Sequence, residues 1–317
     1  MDASSGLPTG YRLRPPAVAE SSDIDRLAAA SDAALGAPPS LNEDTIRQLW
    51  HRPRFVLATD AWIVELRDGI VGYGQVWPED AVNLSAFAVV HPDHTGRGIG
   101  SALAALIEGR AAQQVSGDAR LFSAASPQDE AAARLLADRG YAWARRFWHM
   151  EVDLDRAPAA AGLPACIHLQ PLDPQRDLRA AHRVLEEAFE DHWNYIPTSY
   201  EEFLGQNVQR DDFDPGLWIV AADADGPVGV LFGTARTGHG WIGQLGVLRS
   251  HRGRGIAAAL LRESFAEFRR RGLPRVGLNV DSDSLTGAVS LYEGMGMRET
   301  SSFDLWGRTI RGSRPAG

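Results

Sequence analysis

A seven-residue stretch occurs twice in this chain, and that repetition limits what the chain can fold into. His94-Thr95-Gly96-Arg97-Gly98-Ile99-Gly100 returns as His251-Arg252-Gly253-Arg254-Gly255-Ile256-Ala257, 157 positions later. The Asp68-Gly69 pair returns as Asp225-Gly226 at the same spacing, and Gly140-Tyr141 returns as Gly296-Met297 one position short of it. Solenoids repeat every 20 to 50 residues or so. A spacing this long, held across turns and helices, belongs to a duplicated domain, each copy about 150 residues and of ordinary domain size. The expected division is an N-terminal copy over 11–153, an Ala- and Pro-rich linker over 154–165 and a C-terminal copy over 166–311.

Both copies read as the same series of elements. A first strand (Tyr11 to Val18; Ile167 to Leu172) precedes two helices, one capped by Ser22-Asp23 and the next by Asn42, with counterparts over 177–190 and 199–209. Asp-Gly between alternating apolar residues marks a hairpin in each copy. An apolar strand then enters the glycine turn, and a helix, a strand, a shorter helix and closing strands follow. The last closing strand is expected over Phe303 to Thr309.

The second turn carries the clearest chemistry. The strand Trp241 to Val247 runs into a segment with Arg249, Arg252 and Arg254 around Gly253 and Gly255, and a helix follows from Ile256 to about Arg270. The first amides of a helix lack intrahelical partners and face the positive end of its dipole, so they and nearby guanidinium groups favour a phosphate. A P-loop is excluded because the chain contains no lysine, and a dinucleotide fingerprint does not fit.

Arg252-x-x-Gly255-x-Ala257 after a strand resembles the acyl-CoA signature of the GNAT acyltransferase superfamily, Gln/Arg-x-x-Gly-x-Gly/Ala, and the doubling extends that resemblance over nearly the whole chain. It implies an α/β chain of two tandem GNAT folds, each a central, mostly antiparallel twisted sheet flanked by helices. It also implies acetyl-CoA or another acyl-CoA as cofactor and a primary amine as acceptor, attacked directly on the thioester. Leu291-Tyr292-Glu293 resembles the family's Leu-Tyr-Glu, which implies Tyr292 as general acid toward the leaving thiolate. The equivalent position in the first copy is Leu136, and Arg252 is replaced there by Thr95, so the second copy is expected to be catalytic and the first degenerate.

Carried over residue by residue, the cofactor contacts in the second copy are Leu245, Gly246, Val247, Leu248, Arg249, Arg252, Gly253, Arg254, Gly255, Ile256, Ala257, Ala258, Asn279 and Tyr292. Those in the first are Val90, Gly96, Arg97, Gly98, Ile99 and Gly100. A backbone N–H near Val247 is expected to polarise the carbonyl. The bases open to choice are His239, Asp281 and Glu293, with Asp191 and His192 from the loop after the first helix of that copy. That loop, with Asp191, His192, Trp193 and Tyr195, reads as the acceptor wall, its acids and aromatics suited to a cationic amine or a sugar face.

The tandem architecture resembles the mycothiol synthase branch, which carries a glutamate where this chain has Trp241. The acceptor therefore stays open: an aminosugar, a mycothiol precursor, an antibiotic-like metabolite, or a protein N-terminus or Lys. A CoA-binding regulatory protein without turnover is the alternative from another class.

Composition narrows the partners. A net charge of −9 argues against nucleic acid, whose footprint is a basic surface. No run approaches 18 apolar residues and the first ten lack a leader pattern, so a cytoplasmic, non-membrane protein is expected, monomer or homodimer. A single cysteine, Cys166, rules out an internal disulfide and a cysteine metal cluster; it reads as a buried thiol at a strand entry, and no metal is expected.

Overall fold

The computed structural model describes residues 6–313 apart from 40, 53, 68, 159–161, 164–165, 211, 237 and 285. The first copy runs β1 (Tyr11–Arg14), α1 (Ser21–Ala34), α2 (Glu43–Trp50), α3 (Leu57–Asp60), β2 (Ala61–Leu66), β3 (Gly69–Pro78) and β4 (Asn83–Val90). It continues with α4 (Ile99–Gln114), β5 (Asp118–Ala125), α5 (Glu130–Asp138) and β6 (Ala142–Asp153). The second copy runs β7 (His168–Pro171), α6 (Leu178–Phe189), α7 (Tyr200–Phe203), β8 (Trp218–Asp223), β9 (Gly226–Arg236) and β10 (His239–Val247). It ends with α8 (Ile256–Arg270), β11 (Arg275–Asp281), α9 (Ala288–Gly294) and β12 (Arg298–Arg311).

Packing divides the chain into two compact units, Met1–Phe147 with Ser301–Gly317, and Trp148–Thr300. In the first unit β1 to β4 pair antiparallel in sequence, β4 pairs parallel with β5, and β5 pairs antiparallel with β12 over Asp304–Arg311. The strand expected to close the C-terminal copy therefore lies on β5, and β6 and β12 are each divided between the units. In the second unit β7 to β10 pair antiparallel, β10 pairs parallel with β11, and β6 lies beside β11.

Strand alternation separates the faces. Ile63 and Tyr73 pack with Ile24, Leu27, Ile46 and Trp50 of α1 and α2, whereas Val64 and Val71 pack with Ile99 and Leu103 of α4. In the second unit a Cβ on Gly246 would stand 3.0 Å from Ala188 of α6, and one on Gly229 would stand 3.2 Å from Ile256 of α8. One helix covers each face of that sheet. Fully buried Leu260, Leu261, Leu231 and Val230 lie in its core, each stabilising by about 2 kcal/mol.

Local chemistry explains most element ends. Asn42 caps α2, its side chain accepting from the Thr45 N–H at 2.8 Å, and Ser199 forms a capping box with Glu202. Three readings are corrected. The first strand stops at Arg14 because Pro15 and Pro16 offer no N–H to a ladder. Ser22 and Asp23 lie inside α1, whose entry is a short turn at Val18–Glu20. Cys166 is exposed, at φ 70°, because it precedes β7 instead of entering it. Of the two Asp-Gly turns, Asp68 lies outside the described residues; the other joins β8 to β9, with Asp223 opposite Gly226.

Candidate functional site

In the second unit the sheet opens next to the glycine turn. Among the described residues β10 and β11 pair only at Gly240–Val276 and Trp241–Gly277, and β10 then continues to Val247 past a bulge at Ile242–Gln244. Leu248 donates its N–H to the Val228 carbonyl at 2.9 Å, on the β9 side. Successive N–H groups on a strand point to opposite edges, so the Val247 N–H faces the gap between β10 and β11.

The turn beyond Val247 ends at Gly255, which stands at φ 81° as the N-cap of α8. Only glycine takes that conformation at no steric cost. The Gly255 carbonyl accepts from Ala259 N at 3.0 Å, which leaves the N–H groups of Ile256, Ala257 and Ala258 without an intrahelical acceptor. A Cβ on Gly253 or Gly255 would meet nothing within 4 Å, so open space lies before these donors. Arg254 is exposed, with no ion pair or hydrogen bond among the described residues. These features fit a diphosphate.

Arg252 and Arg249 turn the other way. The Arg252 guanidinium donates to the Ala188 carbonyl at 2.9 Å and the Val247 carbonyl at 3.3 Å, and lies 3.4 Å from Asp191. Arg249 is ion-paired with the same carboxylate, and its hydrogen bond holds Asp191 below the ordinary carboxylate range. Two expected cofactor contacts are thus joined to an expected acceptor residue.

Tyr292 packs against the core that also holds Val247, and its hydroxyl has no partner among the described residues. Burial pushes its phenol up to about 12. His192 lies against Phe189, ring centroids 4.3 Å apart and planes tilted by 45°. Crowding of the ring and then the Arg252 charge hold its imidazole below the usual histidine value, opposed by Asp281 at the end of β11, although the residue as a whole is exposed. Tyr195 donates its hydroxyl back to Glu186 of α6 at 2.7 Å, and Thr198 donates to the same carboxylate, so this residue braces the loop.

His239 sits at the far end of β10 from the turn, beside Glu151 and His149 of β6. Asn279, expected at the cofactor, places its Oδ1 3.1 Å from His149 Nδ1. Trp241 stacks on the His149 ring at 5.3 Å.

The first unit repeats the turn, with Gly98 at φ 84° before α4. There residues 6–11 lie against it. The Gly6 carbonyl stands 4.0 Å from where a Gly98 Cβ would be, and Leu7 packs against the cluster that holds Ile99. The Tyr11 hydroxyl bonds to His94 at 2.8 Å, and Arg97 donates to the Asp93 carbonyl at 3.0 Å.

The acetyltransferase (GNAT) family model matches residues 178–297, and an acetyltransferase (GNAT) domain model matches 58–142. Mycothiol acetyltransferase of Thermobispora bispora is 34% identical over 281 residues, covering 85% of this chain and 90% of that one. The chain belongs to the GNAT acetyltransferase family. The mycothiol acetyltransferase of Salinispora arenicola is 33% identical over 304 residues, covering 92% and 93%. A GCN5-related N-acetyltransferase from Sphaerobacter thermophilus superposes with a TM-score of 0.84 at 33% identity, covering 98% and 99%. A tandem GNAT protein of the clavulanic acid biosynthesis pathway shares the fold, with a TM-score of 0.69 at 20% identity, covering 97% and 100%.

The expected two tandem GNAT folds are therefore present, and the relatives support an N-acetyltransferase. Among the described residues of this GNAT protein no helix is long and apolar enough to cross a membrane. Sequence reasoning gathered the turn, Val247 and Tyr292 around one core, but missed His149 and Glu151. Their signal was slight: a His-x-Glu alternation on a closing strand, which puts both side chains on one face.

Proposed function

We propose that the second unit transfers an acetyl group from acetyl-CoA to the primary amine of a small polar metabolite. The observation that carries this reading is the opening of β10 from β11 beside a helix start with open donors and an exposed Arg254. Bound acetyl-CoA supplies the acyl group as a thioester. The amides of Ile256, Ala257 and Ala258 and the Arg254 guanidinium hold its diphosphate. The Val247 N–H donates to a carbonyl oxygen as negative charge develops there. Tyr292, fully protonated at neutral pH, holds its proton on Oη for a departing thiolate.

An amine is protonated in solution, with a pKa of about 9 to 10. His192, neutral at pH 7 and flanked by Asp281 and the Asp191 loop, removes that proton. Trp193 and Asp191 contribute an aromatic and an anionic wall suited to a cation or a sugar ring. Trp241, in place of the glutamate of the mycothiol branch, makes an acceptor other than the mycothiol precursor the better fit; aminosugars and antibiotic-like amines keep the required chemistry.

Thiol release from acetyl-CoA across an amine panel, with mass spectrometry of the products, tests the reading. An acetylated amine formed by the parent protein and lost in Tyr292→Phe and His192→Gln supports it. Binding of acetyl-CoA with no thiol release for any acceptor would reject it.

A further inference from the structure

The polar cluster on the other end of β10 uses none of the groups assigned to acetyl transfer. We propose that His149, Glu151 and His239 form a binding site for one divalent first-row transition-metal ion of the zinc type. His149 Nε2 lies 2.9 Å from Glu151 Oε1, His239 Nε2 lies 3.6 Å from the same oxygen, and the three atoms fall within 4.8 Å of one another. Zinc takes nitrogen and oxygen ligands at about 2.0 to 2.2 Å, which sets tetrahedral ligands roughly 3.3 Å apart. The two separations from the carboxylate oxygen straddle that value, so an ion could draw the three groups together. Two imidazoles and a carboxylate are a catalytic-type zinc set and leave a fourth position for water or a ligand donor atom.

Four further features point the same way. Asn279 Oδ1 lies 3.1 Å from His149 Nδ1, where it can accept a proton from that nitrogen while an ion takes the place of the Nε2–Glu151 hydrogen bond. Histidine ligands to metals carry this kind of outer partner. Trp241 stacks on the His149 ring at 5.3 Å with 20° between planes, fixing its orientation. Glu151 turns Oε2 toward Arg275 Nη1 at 3.8 Å and Oε1 toward both imidazoles.

The fourth is Gly277, on the strand between Glu151 and His239. A Cβ there would stand 3.0 Å from the His239 ring and 3.3 Å from Glu151 Cγ. The missing side chain is what lets groups from β6 and β10 meet across β11. Their partly buried positions, with side chains 21–23% exposed, leave an entry path from solvent.

The test is titration of the full-length, chelator-treated protein with Co2+, followed by displacement with Zn2+. One equivalent of Co2+ giving the intense visible bands of a four- or five-coordinate ion is expected. His149→Ala, His239→Ala and Glu151→Gln should each weaken binding by about 100-fold, and Asn279→Ala by about 10-fold. Zn2+ should raise the thermal midpoint of the parent protein and not of these variants. Circular dichroism of the metal-free variants reports folding; if an alanine variant is unfolded, His239→Asn and Gly277→Ala carry the same expectation. Only weak octahedral bands, or unchanged affinity in a folded His149→Ala/His239→Ala double variant, would overturn the proposal.

Discussion

Arg252 lies 3.4 Å from Asp191, and this contact ties the glycine turn to the loop that follows α6 in the second unit. Arg249 closes on the same carboxylate. A diphosphate arriving at the turn competes with Asp191 for these guanidinium groups. Asp191→Asn should therefore lower the KM for acetyl-CoA about two- to fivefold, the scale of a solvent-exposed ion pair. Steady-state kinetics at low and moderate salt checks this, with a smaller effect at higher salt. An unchanged or raised KM would remove Asp191 as a competitor.

Tyr292, the proposed proton donor, packs against an apolar core. Tyr292→Phe keeps the packing and removes only the hydroxyl. The expected result is a fall in kcat of about 100-fold with little change in the KM for acetyl-CoA. A fall in thermal midpoint with kcat unchanged would make this tyrosine a packing residue.

The imidazole of His192 is held below its ordinary value of 6.5, so it is neutral at pH 7. A base works only unprotonated, and kcat should fall as pH drops through that lowered value. The limb should disappear in His192→Gln, leaving the alkaline rise that belongs to the amine acceptor. A pH–rate profile in which the acid limb survives the substitution would move the base elsewhere, with Asp281 next in line.

Residues 6–11 lie against the turn of the first unit, where Gly6, Leu7 and Tyr11 meet Gly98, Ile99 and His94. Isothermal titration should give one acetyl-CoA per chain. Arg254→Ala should weaken that binding about 10-fold, the worth of a hydrogen bond to a charged group, and Arg97→Ala should leave it unchanged. Two equivalents of comparable affinity would contradict the assignment to the second unit.

Much of this was legible in the sequence. Glycines at fixed spacing after an apolar strand marked both helix starts, because positive φ at Gly98 and Gly255 is a local demand. Asn42 and Ser199 announced their helices in the same way. The grouping of His149, Glu151 and His239 was not legible, since it depends on which strands become neighbours and on a gap left by Gly277. Backbone ladders use groups that every non-proline residue has, so pairing of β12 with β5 leaves little trace in side chains. The contact between Asp191 and Arg252 was hidden for a related reason: each had a plausible separate ligand.

The placement of β12 on β5 bears on how the molecule can be handled. Cutting the chain in the 154–165 segment severs the sequence halves without severing the folded ones. A fragment ending there lacks its terminal rib and exposes the bare margin of β5, a template for aggregation. Circular permutants that open the chain elsewhere, or co-expression of both halves, are the sounder routes to dividing the chain while keeping each folded unit whole.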